Sequence, residues 1–99
     1  DEDLLTLRTA LLQEEFKEYL EAAADRDLLE VADALGDMVY VIFGTAITAG
    51  IDLHAVLEEI HHSNMTKLDE NSDPIYREDG KVLKGPLWEP PDIKGVLGV

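Results

Sequence analysis

The sequence predicts an all-α protein: a helical bundle of three main helices plus a Pro/Gly-rich C-terminal tail, with the core completed by oligomerisation. Three observations carry that reading. Apolar residues recur at steps of three and four through the first part of the chain. A long apolar segment is then closed by Gly50, where a helix would stop. All four prolines (Pro74, Pro86, Pro90, Pro91) fall late, so nothing earlier breaks a helix. A chain of 99 residues sets a single domain, 1–99, as the expectation, helical over 3–70 with a tail over 71–99. A helical domain this small buries a limited share of its surface alone, hence the expected association.

In the first helix, Leu4, Leu7, Leu11, Leu12, Phe16, Tyr19 and Leu20 form a stripe from about residue 3 to 24. Asp25-Arg26-Asp27 breaks it. Either aspartate can cap the next helix, and Asp27 with Glu30 has capping-box spacing. The second helix is expected over 28–49, apolar on nearly all sides after Asp37. Val39-Tyr40-Val41-Ile42-Phe43 has strand composition. The segment is too long for one strand, however, and helix formers flank it. Asp52 caps a third helix whose inner face carries Leu53, Val56, Leu57, Ile60 and Met65. Beyond Asn71, Glu78-Asp79-Gly80-Lys81 predicts a tight turn joining short strands around Ile75-Tyr76 and Val82-Leu83. The tail is expected to wrap over the helices, pinned by Trp88 and Ile93.

The charge balance excludes a class of partner. Eight Lys+Arg face 22 Asp+Glu, a net charge of −14, which repels a nucleic-acid backbone. No run approaches the roughly 18 unbroken apolar residues of a membrane span. The longest candidate, Met38 to Ile51, includes Thr45 and Thr48. Neither nucleic acid nor membrane is therefore an expected partner. Asp1-Glu2-Asp3 is the opposite of a basic leader, and without cysteine there is no disulfide framework or thiolate metal site. A cytoplasmic location is the expectation.

Some of the carboxylates lie where solvation does not explain them. Glu14, Glu15 and Glu18 sit in the first helix, with Glu15 and Glu18 one turn apart, flanked by Phe16 and Tyr19. In the second helix Glu30, Asp33 and Asp37 fall along one stripe. Asp37 enters the most hydrophobic stretch of the chain, where a carboxylate costs several kcal/mol unless paired. Up to that point the chain offers only Arg8, Lys17 and Arg26 as cations. A divalent ion is the alternative compensation. Oxygen ligands without cysteine or histidine in either stripe select Mg²⁺ or Mn²⁺ over zinc.

These residues also match a family pattern. Leu11-Leu12-Gln13-Glu14-Glu15-Phe16-Lys17-Glu18 followed by Glu30-Val31-Ala32-Asp33-Ala34-Leu35-Gly36-Asp37-Met38-Val39-Tyr40 resembles the all-α NTP pyrophosphatases. That is the MazG-like group, which includes dimeric dUTPases and phosphoribosyl-ATP pyrophosphohydrolases. Its pattern is E-E-x-x-E, then E-x-x-D on the next helix. The resemblance extends through His61-His62-Ser63-Asn64-Met65-Thr66-Lys67 and Asp79-Gly80-Lys81-Val82-Leu83-Lys84 to Trp88 and Pro90-Pro91-Asp92. There is one departure. If Asp37 is the aspartate of E-x-x-D, Ala34 holds the glutamate's place; reading Glu30 to Asp33 as the motif restores the spacing one turn earlier. Either Glu30 or Asp33 then completes the set.

The resemblance implies a Mg²⁺-dependent hydrolase that splits a nucleoside triphosphate, of dUTP or dCTP type, into monophosphate and pyrophosphate. It implies Glu15, Glu18 and Asp37 as metal ligands, with Asp33 or Glu30, and Glu14 as the residue that orients or deprotonates water. Asn64 and Lys67 approach the nucleotide. Lys81 and Lys84 either lie on a solvated hairpin or bring positive charge to the phosphates, and Trp88 is a packing anchor or a base platform. The helical face rich in apolar residues after Asp37 suggests a homodimer or dimer of dimers. Two alternatives are a phosphoribosyl-ATP pyrophosphohydrolase and a non-catalytic acidic dimeric module. Glu58 and His61 supply one E-x-x-H match to a di-iron bundle, and neither acidic stripe supplies a second.

Overall fold

The computed structural model describes residues 2–99; Asp1 lies outside the described residues. Four helices follow one another: α1 (Glu2–Ala24), α2 (Leu28–Ala49), α3 (Leu53–Met65) and α4 (Ile93–Leu97). The chain forms two compact units, Asp1–Ile51 and Asp52–Val99. The all-α expectation holds: α1 and α2 begin and end within a residue of their expected limits, and α3 starts after Asp52 as expected but stops at Met65, short of the helical range expected to residue 70.

The first unit is a helical hairpin of α1 packed on α2. Its turn is three residues long and hydrogen-bonded throughout. Arg26 adopts a left-handed conformation (φ 53°), and the Asp27 amide reaches back to the Ala22 carbonyl at 3.1 Å. Of the two candidate caps, Asp27 is the one used: its carboxylate accepts the Glu30 amide at 3.2 Å. At the far end Gly50, with φ 72°, donates back to Ala46 and Ile47 and stops α2. The residues most deeply buried are small (Ala22, Ala34 and Ala46), which lets side chains of one helix approach the backbone of the other. Arg8 of α1 does so, donating to the Val41 carbonyl at 2.9 Å and to the Thr45 hydroxyl at 3.2 Å.

Much of α2 is left uncovered by α1. Leu28, Leu29, Tyr40 and Ile47 are each about four-fifths exposed. Among the described residues α2 is the one helix long and apolar enough, by length and composition, to cross a membrane, a test that the core helix of a bundle also passes. Counting only unbroken apolar runs missed it, because Glu30, Asp33 and Asp37 interrupt the run along a single stripe.

In the second unit Asp52 caps α3 by accepting the Ala55 amide at 3.1 Å. The tail folds back along α3. The buried Ser63 hydroxyl donates to the Glu89 carbonyl at 2.6 Å, and the Glu89 amide donates to Thr66 Oγ1 at 2.8 Å. The Asp92 amide donates to Glu59 at 3.0 Å. The two short strands expected in the tail are not formed. Single antiparallel bridges, Tyr76 with Val82 and Leu68 with Pro74, take their place. Pro74 has no N–H to extend a ladder, and the chain turns again at Gly85 and Pro86. The turn itself forms, with Gly80 at φ 91°. A five-residue α4 was not expected; Asp92 caps it through the Gly95 amide at 3.0 Å.

Candidate metal site and a basic cleft

The hairpin decides which carboxylates meet. Ligand oxygens of Glu15, Glu18 and Asp37 all lie within 4.8 Å of one another. Glu15 and Asp37 are half-buried, Glu18 is exposed, and the stacked rings of Phe16 and Tyr19 lie on the same helix with centroids 6.3 Å apart. Glu15 is the most constrained member. Its Oε2 is buried and has no hydrogen-bond partner. Burial, then the charges of Glu18, Asp37 and Glu14, hold its carboxyl above the ordinary 4.5. A buried acceptor facing only other carboxylates is a donor set that a hard divalent cation satisfies. The residues therefore fit the expected metal.

A groove of about 220 Å³ runs on from Glu18, lined by Glu21, Asp25, Asp27, Glu30 and Asp33, with Ala22 and Ala34 at its base. Glu30 and Asp33 both line this groove, so both remain available to the cluster. Ala34, in the place of the pattern's glutamate, is 3% exposed and contributes a methyl group in place of a ligand. Glu14 is exposed and lines a shallow depression with Lys17, Glu18 and Glu21, close enough for its charge to act on Glu15. Glu21 and Asp25 were not among the expected site residues. Their signal was the continuation of the Glu14/Glu18 spacing to the end of α1.

In the second unit Lys67, Lys81 and Lys84 line a cleft of about 410 Å³ with Val82 and Leu83. Beside it Gly85 lets the tail approach closely: a β-carbon there would lie 3.0 Å from the Leu68 carbonyl and 3.2 Å from Ile75 Cδ1. Lys84 Nζ lies 4.2 Å from the centroid of the half-buried Trp88 ring, a cation–π contact. Trp88 Nε1 is buried without an acceptor. Asn64 is exposed near the end of α3, and its carbonyl accepts the Lys67 amide at 3.1 Å. The histidines do not join a metal cluster among the described residues. His54 takes Glu58 at 2.6 Å, removing the E-x-x-H pair with His61, and His62 lies 3.9 Å from Glu89.

The sequence profile of the phosphoribosyl-ATP pyrophosphohydrolase family matches residues 1–64. An uncharacterised protein of Acanthamoeba polyphaga mimivirus is 36% identical over 67 residues, which are 66% of this chain and 27% of that protein. The crystal structure of a candidate NTP pyrophosphohydrolase from Exiguobacterium sp. 255-15 superposes with a TM-score of 0.57 at 34% identity. It covers 82% of this chain and 56% of its own. The chain thus spans about a quarter of the viral relative and about half of the bacterial structure.

Proposed function

This chain belongs to the phosphoribosyl-ATP pyrophosphohydrolase family, and we propose that it is a metal-dependent nucleoside triphosphate pyrophosphohydrolase. In that reaction water adds across the α–β phosphoric anhydride, releasing a nucleoside monophosphate and pyrophosphate. The observation that carries this reading is the convergence of Glu15, Glu18 and Asp37 on one point, with a buried Glu15 oxygen left without a partner. A site made of carboxylates repels a triphosphate unless metal ions intervene. Glu15, Glu18 and Asp37 would hold Mg²⁺, or Mn²⁺, with Asp33 or Glu30 extending the set. When bound, the ion supplies a water of lowered pKa and neutralises charge on the departing pyrophosphate. Glu14 is the proposed group that orients this water or takes its proton.

Deoxynucleotides of dUTP or dCTP type are the favoured substrates, on the MazG-like pattern of α1 and α2. Phosphoribosyl-ATP is a second reading, supported by the family profile; it carries the same triphosphate and would lose the same pyrophosphate. The exposed apolar residues of α2 support self-association as a homodimer or a dimer of dimers.

The decisive test is a panel of nucleoside triphosphates and phosphoribosyl-ATP with Mg²⁺, scored for pyrophosphate against orthophosphate. Pyrophosphate release that disappears in Asp37→Asn, with helix content retained by circular dichroism, is the expected result. Orthophosphate alone, or full activity in Asp37→Asn, would overturn the proposal.

A further inference from the structure

The end of α3 and the tail meet in a contact that the acidic site does not use. Glu89 lies in a stretch without helix, strand or bridge, so no ladder serves its peptide groups. Two hydroxyls at the end of α3 serve both of them. Ser63, 3% exposed, donates to the Glu89 carbonyl at 2.6 Å, and Thr66 Oγ1 accepts the Glu89 amide at 2.8 Å. Thr66 directs its own hydroxyl proton to the Ser63 carbonyl at 2.6 Å, which turns a lone pair to Glu89. Asn64 and Lys67 each directly follow one of these hydroxyl residues, and Lys67 lines the cleft with Lys84. On the tail side the contact adjoins Trp88. Its amide closes a turn onto the Gly85 carbonyl at 3.1 Å, and its ring carries Lys84 Nζ at 4.2 Å. Trp88 thus stands between a closed turn and a peptide unit held at both of its polar groups.

We propose that Ser63 and Thr66 are positioning residues for nucleotide binding: by clamping both peptide groups of Glu89 they fix Trp88, and with it Lys84, in register with Asn64 and Lys67. The inference rests on the triphosphate-cleaving reading above, with Asn64, Lys67, Lys84 and Trp88 as the contacts that the family resemblance implies. Neither hydroxyl proton is free to donate to a ligand, since Ser63 gives its own to Glu89 and Thr66 gives its own to Ser63. Both residues therefore act through the tail. The Glu89 side chain is not part of the clamp; it is exposed and lies 3.9 Å from His62. A segment fixed before the ligand arrives needs less ordering on binding, so the clamp acts on KM and leaves kcat in place.

Trp88 is the sole tryptophan, so its emission in the ligand-free chain reports on the clamp. Thr66→Val, which keeps the shape and removes the hydroxyl, and Ser63→Ala are each expected to shift that emission to the red and to speed its quenching by acrylamide. Kinetics are read with Mg²⁺ and dUTP, dCTP and phosphoribosyl-ATP in turn. For a substrate that is cleaved, KM should rise by roughly 10-fold in Thr66→Val while kcat stays within about 2-fold. Thr66→Ser, which restores the hydroxyl, should return emission and KM to native values, and Glu89→Ala should change neither. Native emission in both hydroxyl variants overturns the clamp, whatever the chain cleaves. A shifted emission with unchanged KM overturns the positioning role, as does Glu89→Ala raising KM as far as Thr66→Val. A native chain that cleaves none of the three substrates overturns the nucleotide role together with the enzyme reading, while the emission shift still decides for the clamp.

Discussion

The guanidinium of Arg8 occupies the space in which a side chain at Gly44 would lie. A β-carbon built on Gly44 collides with Arg8 Nη2, the same nitrogen that donates to the Val41 carbonyl at 2.9 Å. The glycine is therefore the gap through which α1 anchors a cation to the backbone of α2, one turn from the helix's apolar centre.

This arrangement predicts an epistatic pair. Replacing a helical glycine by alanine gains about 1 kcal/mol. In the native background the displaced guanidinium loses charge-assisted hydrogen bonds worth about 1.5–3 kcal/mol, so Gly44→Ala should destabilise by roughly 1 kcal/mol. In an Arg8→Ala background the obstacle is gone, and the same substitution should stabilise by about 1 kcal/mol. Urea unfolding of the four proteins measures the coupling; equal effects in both backgrounds would remove it.

The acidic cluster predicts an unusual pH dependence. Burial and the neighbouring Glu18 hold the Glu15 carboxyl above 4.5. The folded state then binds this proton more tightly than the unfolded chain, so its contribution is present below pH 4.5 and lost as pH rises through the raised value. Asp79 acts in the opposite sense and in a lower range, because Arg77 lowers its pKa below 3.8 and its contribution is lost on acidification. Without metal, melting temperature should fall as pH rises from about 4.5; added Mg²⁺ should reverse the slope. Glu15→Gln should flatten the metal-free profile and abolish the response to Mg²⁺.

The choice between Asp33 and Glu30 has a geometric answer. Along α2, Asp33 is about 6 Å from Asp37 and Glu30 about 10 Å, at roughly 1.5 Å rise per residue. Asp33→Asn should reduce Mg²⁺-dependent turnover by about 100-fold or more, and Glu30→Gln by less than about 10-fold. Parallel kcat/KM measurements against Mg²⁺ concentration decide it. The reverse order would place the motif one turn earlier.

Gly85 sets how closely the tail approaches Leu68. With a β-carbon 3.0 Å from the Leu68 carbonyl, Gly85→Ala forces the two segments apart. Overpacking of this kind should lower Tm by roughly 5–10 °C. An unchanged Tm would mean that the segment shifts freely.

The helices were legible because their signals are local. The spacing of Leu4 to Leu20 marks α1, Asp27 and Asp52 cap the helices that follow, and Gly50 stops α2. The two acidic stripes were legible for the same reason. The tail was read less well. Turn chemistry at Asp79-Gly80 showed where the chain reverses, but strand composition around Ile75 and Val82 overstated a pairing that narrows to one bridge. The short α4, capped by Asp92, was not read at all, because five residues are too few for a periodic signal.

By itself the sequence determined the helical periods, their stops, the surplus of acid and the residues eligible to be ligands, all properties of neighbours in the chain. Tertiary structure alone decided that Glu15, Glu18 and Asp37 share one point, and that three distant lysines line one cleft. The physical reason is that a helix's rotation about its axis is set by contacts such as Arg8 over Gly44, and a tail's path by approaches such as Gly85 to Leu68. Residue spacing along one segment contains no information about either.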